Sequence, residues 1–286
     1  MDNLKAKKRH PEEIAVYSAI YVCAAFSVLL LLGIIIYVFA KGARRVNWAF
    51  LTGVTSILHG TVGIAGNILN TLIIILLTMI ITTPIGVGAA IYLNEYAKPG
   101  KLVTVIIFAT ETLAGIPSII FGLFGMLFFG QLCHMGYSLL TGSLTLTLMV
   151  LPLVTRNTQE ALKTVPDSFR TGAVGLGAGK WYTIRTILLP SAMPGIVTGV
   201  ILAIGRIIGE SAALLFTAGS AHLLPKTFNA FLEKIFHSGG TLTIQLYLSA
   251  SKGEFEVAFG IAVVLLVIVL LINLGTKRLA KKLEKH

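Results

Sequence analysis

The sequence predicts an all-α polytopic membrane protein with six transmembrane helices, on three observations. Hydrophobic residues fill 55% of the 286 positions and charged residues only 12%, about half the charged share of a soluble domain. Six apolar stretches reach or approach the roughly 20 residues that a helix needs to cross a bilayer. The charges that remain gather at the ends of those stretches, as membrane topology requires. The spans form one membrane domain over residues 14–275, flanked by polar tails at 1–13 and 276–286.

The first span is Ile14 to about Ala40. It is too long for a cleavable signal peptide and lacks a small-residue cleavage site, so it is expected to remain. Lys41 to Gly66 reads as a Gly/Thr/Asn loop, with Trp48 and Phe50 as interface anchors. The second span runs from Ile68 to Tyr92 and carries Pro84, Gly86 and Gly88 near its end, residues that membrane helices tolerate. Asn94 to Lys101 is a polar turn. Leu102 to Thr112 is apolar but contains Glu111, so it reads as an interfacial elbow, with Glu111 as an interfacial charge. The third span, Leu113 to Cys133, contains AGIPSIIFGLFG, whose small residues permit tight packing. After a short loop, His134 to Ser138, the fourth span runs from Leu139 to Leu162 with Pro152 and Arg156. The fifth is Ala192 to Ala218. Ser220 to Glu256 reads as a polar loop with short apolar pieces, and the sixth span is Val257 to Gly275.

Six spans put both termini on one side, and lysine and arginine choose the side. The tails and the loops at 94–112 and 163–185 hold 15 of these residues, and the opposite loops hold 6. The excess predicts cytoplasmic termini. Lys41, Arg44 and Arg45 lie on the other side and weaken the bias without reversing it.

Two charges stand inside the fifth span, in ILAIGRIIGESAALLF. A charge at a helix centre costs about 2.5–3.5 kcal/mol on insertion scales. Arg206 and Glu210 must therefore face protein or water. Their i, i+4 spacing puts them on one helix face, where they can pair. Two readings stand: a salt bridge that glues helices, or an anion route. Arginine offers a planar fork matched to oxyanions, and a neighbouring glutamate would keep it from trapping the anion permanently. Arg156 is either a second cationic point or a side chain that reaches back to the interface.

The stretch Gly172 to Pro190, GAVGLGAGKWYTIRTILLP, interrupts the hydrophobicity between spans four and five. Unpaired backbone is too costly in lipid, so this insert sits in water. Its glycines and the amphipathic turn at Trp181, Tyr182 and Ile184 predict a short helix-turn-helix. It is either gripped by a soluble partner or is a plain amphipathic loop.

Other chemistry is excluded by pattern. There is no GxxxxGK[ST], HExxH, CxxC or GxSxG motif. Hence no cofactor is expected on this chain, and the chain is not read as an enzyme. Net charge is +11, but the basic residues show no aromatic interleaving, so nucleic acid is not an expected partner. Cys23 and Cys133 read as small core residues. The six histidines, among them His10, His59 and His286, read as loop or terminal residues.

On these residues the chain resembles the bacterial ABC-importer permeases. That family's cytoplasmic loop reads Glu-Ala-Ala, three residues, Gly, nine residues, Ile-x-Leu-Pro. Gly177 is followed nine residues later by Ile187-Leu188-Leu189-Pro190, a full match to the second half. Thr171-Gly172-Ala173 stands in the Glu-Ala-Ala place, without the acid. LAGIPSIIFGLFG, LPLVTRNTQEALKTVPDSFR and ILAIGRIIGESAALLFTAG narrow the likeness to the phosphate importer's permeases, the PstA-type subunit. The resemblance implies a type I ABC importer permease fold and a coupling loop at 163–190. It implies a second, PstC-type permease subunit, an ATPase dimer that holds the ATP, an extracytoplasmic phosphate-binding protein and surrounding membrane lipids as partners. It also implies that Arg206, Glu210 and Arg156 take part in transport. A permease for molybdate, sulfate or phosphonate remains open. So do a lone secondary transporter, for which paired broken helices are not evident in the sequence, and a non-transporting scaffold.

Overall fold

The computed structural model describes residues 11–56, 61–225 and 227–283. The basic N-terminal residues, His10, His59 and the end of the C-terminal tail with His286 lie outside these ranges. Five helices are long and apolar enough to cross a membrane, and a bent pair makes a sixth.

The first is α1, Pro11–Gly42. A short helix α2, Trp48–Thr52, and a hairpin of β1, Val54–Ser56, and β2, Thr61–Ile64, lead into α3, Ala65–Ile91. The predicted loop at 41–66 is thus partly regular. Phe50 is not an interface anchor. It is 2% exposed and packs with Ile64, Leu242, Val257 and Ile261. Trp48 is exposed, as expected.

The third span departs from its prediction. Leu102–Thr112 belongs to a full helix, α4, Lys101–Gly115, and the chain then turns by 103° into α5, Ser118–Gly125, with a π-helical continuation Met126–Leu132. Pro117 explains the break. Its ring disfavours a helical residue before it, and Ile116 is extended at φ −73°, ψ 131°.

The long helix α6, Leu139–Lys163, is central, with 15 of its 25 residues buried. It is also the least apolar span, and it manages this by satisfying its own polar groups. Ser143, Thr145 and Thr147 each donate to the carbonyl four residues back at 2.8 Å. Small residues let neighbours close on it. A β-carbon on Gly125 of α5 would stand 2.0 Å from the Thr145 hydroxyl, so only glycine fits there.

Beyond α6 come α7, Asp167–Gly175, and α8, Lys180–Thr183. A π turn, Ile184–Leu188, joins α8 to α9, Leu189–Ile208. The fifth span is not one helix. It stops at Ile208 and resumes as α10, Ala212–Thr217. The predicted polar loop at 220–256 holds α11, Phe228–Glu233, and α12, Leu242–Ser251, whose Leu242 and Ile244 are fully buried. The last helix is α13, Phe255–Leu283.

The core runs through α3, α5, α6, α9 and α10, around Ile74, Phe121, Leu146, Met149, Ile207 and Leu214. At the end away from α7 and α8, the 220–241 segment is laced across the helix ends. Asn67 and Asn70 donate to the Gly240 carbonyl at 3.0 Å, and the Leu242 amide donates to Thr71 at 3.0 Å. Helix α1 stands apart, packed on α13 through an edge-to-face pair of Tyr37 and Phe259. That isolation corrects one expectation: Cys23, on α1, is exposed and not a core residue. Cys133, after the π segment, is exposed too.

Candidate functional site

Two of the three charges singled out in the spans come together. Arg156 of α6 and Arg206 in the last turn of α9 line one cavity of about 150 Å³. Glu111 of α4, read from the sequence as an interfacial charge, is exposed and lines this cavity as well. A second cavity of about 190 Å³ runs toward Lys163 and shares Thr110, Glu111 and Arg156 with the first. Arg156 pairs with Glu160 one turn on, at 3.2 Å. Both side chains are exposed, so the pair contributes little stability. It leaves other guanidinium donors free.

Glu210 is placed differently from its expectation. It does not pair with Arg206 in the structure. The i, i+4 rule requires a continuous helix, and α9 ends at Ile208, with Gly209 as its cap. The Glu210 carboxylate instead accepts from the Ala213 amide at 3.0 Å, in the first turn of α10. The unpaired amides and positive end of a helix attract such a carboxylate. Its carbonyl accepts from the Thr243 hydroxyl at 2.8 Å, which ties the break to α12. The third and fifth spans are both interrupted, and their short helices α5 and α10 pack together. Broken helices, not evident in the sequence, are therefore present.

The stretch Gly172 to Pro190 forms the predicted helix-turn-helix. The Ala178 amide donates to the Ala173 carbonyl and the Gly177 amide to the Val174 carbonyl, both at 2.9 Å. With Gly177 at φ +80°, these two bonds make a Schellman ending to α7. Ala173 is buried, and Ile187 and Leu189 pack against Leu162, Leu188 and Ile196. Pro190 has no amide to return to the Thr186 carbonyl, and the helix widens to a π turn just before it. Thr171 and Gly172 face outward. The Thr171 hydroxyl bonds back to Asp167 and Ser168 carbonyls, so it does not replace an outward acid. The tip is apolar yet bare: Leu176 is 92% exposed, and Val174, Trp181 and Tyr182 are exposed too.

Sequence reasoning missed how this unit is anchored. The Arg170 guanidinium donates to the Glu95 carboxylate at 3.0 and 3.3 Å, to Asp167 at 2.9 Å, and to the Val165 and Leu162 carbonyls at 3.0 Å. Lys180, on the other arm, lies 4.8 Å from the centre of the Tyr96 ring. Both arms thus hold the π-helical turn Tyr92–Tyr96 that extends α3. Glu95 and Arg170 are 75 residues apart, and no local spacing links them.

Residues 82–286 match the model of a protein family described as binding-protein-dependent transport system inner membrane component. The chain belongs to that family. A probable ABC transporter permease of Bacillus subtilis, YqgI, is 36% identical over 273 residues, covering 92% of this chain and 93% of its own. The phosphate transport system permease protein PstA of Xylella fastidiosa is 35% identical, covering 84% and 82%. PstA 1 of Mycobacterium tuberculosis is 34% identical, covering 79% and 70%. Among solved structures, a chain of the bacterial alginate ABC transporter superposes with a TM-score of 0.71 over 96% of each chain at 14% identity. A chain of the inward-facing MetNI methionine ABC transporter gives 0.58 over 77% and 94% at 20% identity. The fold is that of ABC importer permeases, and the chain is a multi-pass membrane protein. Its place in this family, not any lack of broken helices, sets it apart from lone secondary transporters.

Proposed function

We propose that this chain is a permease subunit of an ATP-driven importer that carries inorganic phosphate across the cytoplasmic membrane. The observation that carries the reading is the shared cavity of Arg156 and Arg206. Two spans present guanidinium groups to one small space, with a single carboxylate, Glu111, on its wall. That chemistry suits an oxyanion held briefly. Phosphate is favoured among oxyanions because the Xylella and Mycobacterium relatives are phosphate transport system permeases.

Arg206 is exposed on this chain alone. A charge within the membrane does not face lipid, so its face is closed by a second, PstC-type permease. The bare tip around Leu176 takes an ATPase dimer, which holds the ATP; this chain holds no cofactor. The segments 41–66 and 220–256 meet an extracytoplasmic phosphate-binding protein, and both termini are cytoplasmic. Closure of the ATPases drives α7 and α8 as a lever, and the spans rock to open the arginine cavity to one side and then the other. Glu210 acts from the helix break beside Arg206 and tunes its hold on the anion.

Uptake of labelled phosphate tests this in cells with normal membrane levels of the complex. Arg206→Gln and Glu210→Gln should each lower uptake, the former by roughly tenfold or more, the loss of one charged hydrogen-bonding partner. Wild-type uptake in both would refute the anion route. Competition by molybdate, sulfate or phosphonate equal to that by phosphate would reassign the substrate, and uptake without an ATPase would overturn the class.

A further inference from the structure

The far end of α1 carries three cations that lie outside the cavity of Arg156 and Arg206. Lys41 closes the helix, and Arg44 and Arg45 form the 3-10 turn after it. All three line a cavity of about 830 Å³ between α1 and α13, with Phe255 and Phe259 as apolar wall and Glu256 as its one acid. None of the three makes an ion pair among the described residues. Arg45 is held in place. Its stem lies against Gly260 of α13, and its guanidinium carbon lies 5.8 Å from the centre of the buried Phe50 ring. Its Nε is buried without an acceptor. A buried donor left unpaired is costly, and a positioned guanidinium is suited to oxygen pairs of phosphate.

We propose that this cavity binds the phosphate group of an anionic phospholipid. Lys41, Arg44 and Arg45 hold the phosphate oxygens, and Phe255 and Phe259 lie along the glycerol and first acyl carbons. Three features favour a lipid over a free ion. The cavity lies beside α1, whose apolar stretch has no fully buried residue within this chain. The exposed Trp48, three residues on from Arg45, marks headgroup depth. The aromatic wall offers nothing to a hydrated ion but suits an amphiphile. Three cations against one carboxylate leave a net positive wall, which favours an anionic over a zwitterionic headgroup.

Native mass spectrometry of the full chain, delipidated in detergent and titrated with phosphatidylglycerol, tests the site. One tightly held lipid is expected. The double variant Lys41→Gln/Arg44→Gln, at two exposed positions outside the core, should weaken it by roughly tenfold or more. Arg45→Lys keeps the charge but loses the fork and should weaken it less. Phosphatidylethanolamine should bind more weakly, and millimolar inorganic phosphate should not displace the lipid. Unchanged retention in the double variant overturns the proposal. Displacement by inorganic phosphate overturns the lipid assignment and gives the cations to the free ion.

Discussion

Gly177 and Lys234 show how single residues bear on opposite ends of the molecule. Gly177 turns α7 back toward α8 with a positive φ and nothing within 4 Å of a would-be β-carbon. Space therefore does not forbid a side chain, but the left-handed backbone does, at about 1–2 kcal/mol. Gly177→Val should leave membrane insertion intact and weaken co-purification of the ATPase; full co-purification would count against the coupling role. Lys234, in the short 3-10 turn after α11, is buried and donates to the Leu223 carbonyl. Burial lowers its pKa from the ordinary 10.5. The penalty for carrying the charge exists only in the folded chain. Below the lowered pKa the fold bears all of it, and stability rises with pH from there toward about 10.5, where the unfolded chain loses the same proton. Lys234→Met should remove that rise, as seen in melting curves across the alkaline range. Parallel curves for the two proteins would refute it.

At the scale of elements, the ion pair between Arg170 and Glu95 fastens the α7–α8 unit to the π-helical end of α3. The Glu95 side chain is 8% exposed and that of Arg170 22%, so the pair is shielded from solvent. Glu95→Gln should leave the guanidinium short of a counter-charge and cost about 1–3 kcal/mol locally. The expected consequence is more ATP hydrolysed per phosphate imported, with the complex still assembled. Assays of hydrolysis and uptake in parallel decide it, and an unchanged ratio would reduce Glu95 to packing. Long α-helices with sustained hydrophobicity were legible: α1, α6 and α13 contain their predicted spans, and α3 with its π-helical end at Tyr92 covers the second. The interruptions at Ile116–Pro117 and Gly209–Ser211 were not, because proline and glycine within apolar runs occur in continuous membrane helices as well. Helix α12 is not legible either, because LTIQLYL is shorter than a span; Leu242, Ile244 and Ser249 are buried where it packs on α3 and α13.

For the whole molecule, orientation is the reading most open to direct measurement. A cysteine placed at Leu176, in a variant with Cys23 and Cys133 replaced, should react with an impermeant thiol reagent only in inside-out vesicles. Labelling in right-side-out cells would turn the topology over and remove the ATPase contact. The charge cost alone marked Arg206, Glu210 and Arg156, since ionised groups in an apolar span demand a reason. It could not say which of them meet. Hydropathy, the distribution of lysine and arginine, and the Gly177–Pro190 pattern determined the membrane class, the span count and the helix-turn-helix, because these are local properties of a chain facing lipid or water. Only the tertiary structure separated Arg206 from Glu210, joined Arg206 to Arg156 and Glu111, and clamped α7 to Glu95. Those outcomes depend on where helices break and which distant faces touch, and no single stretch of sequence carries that information.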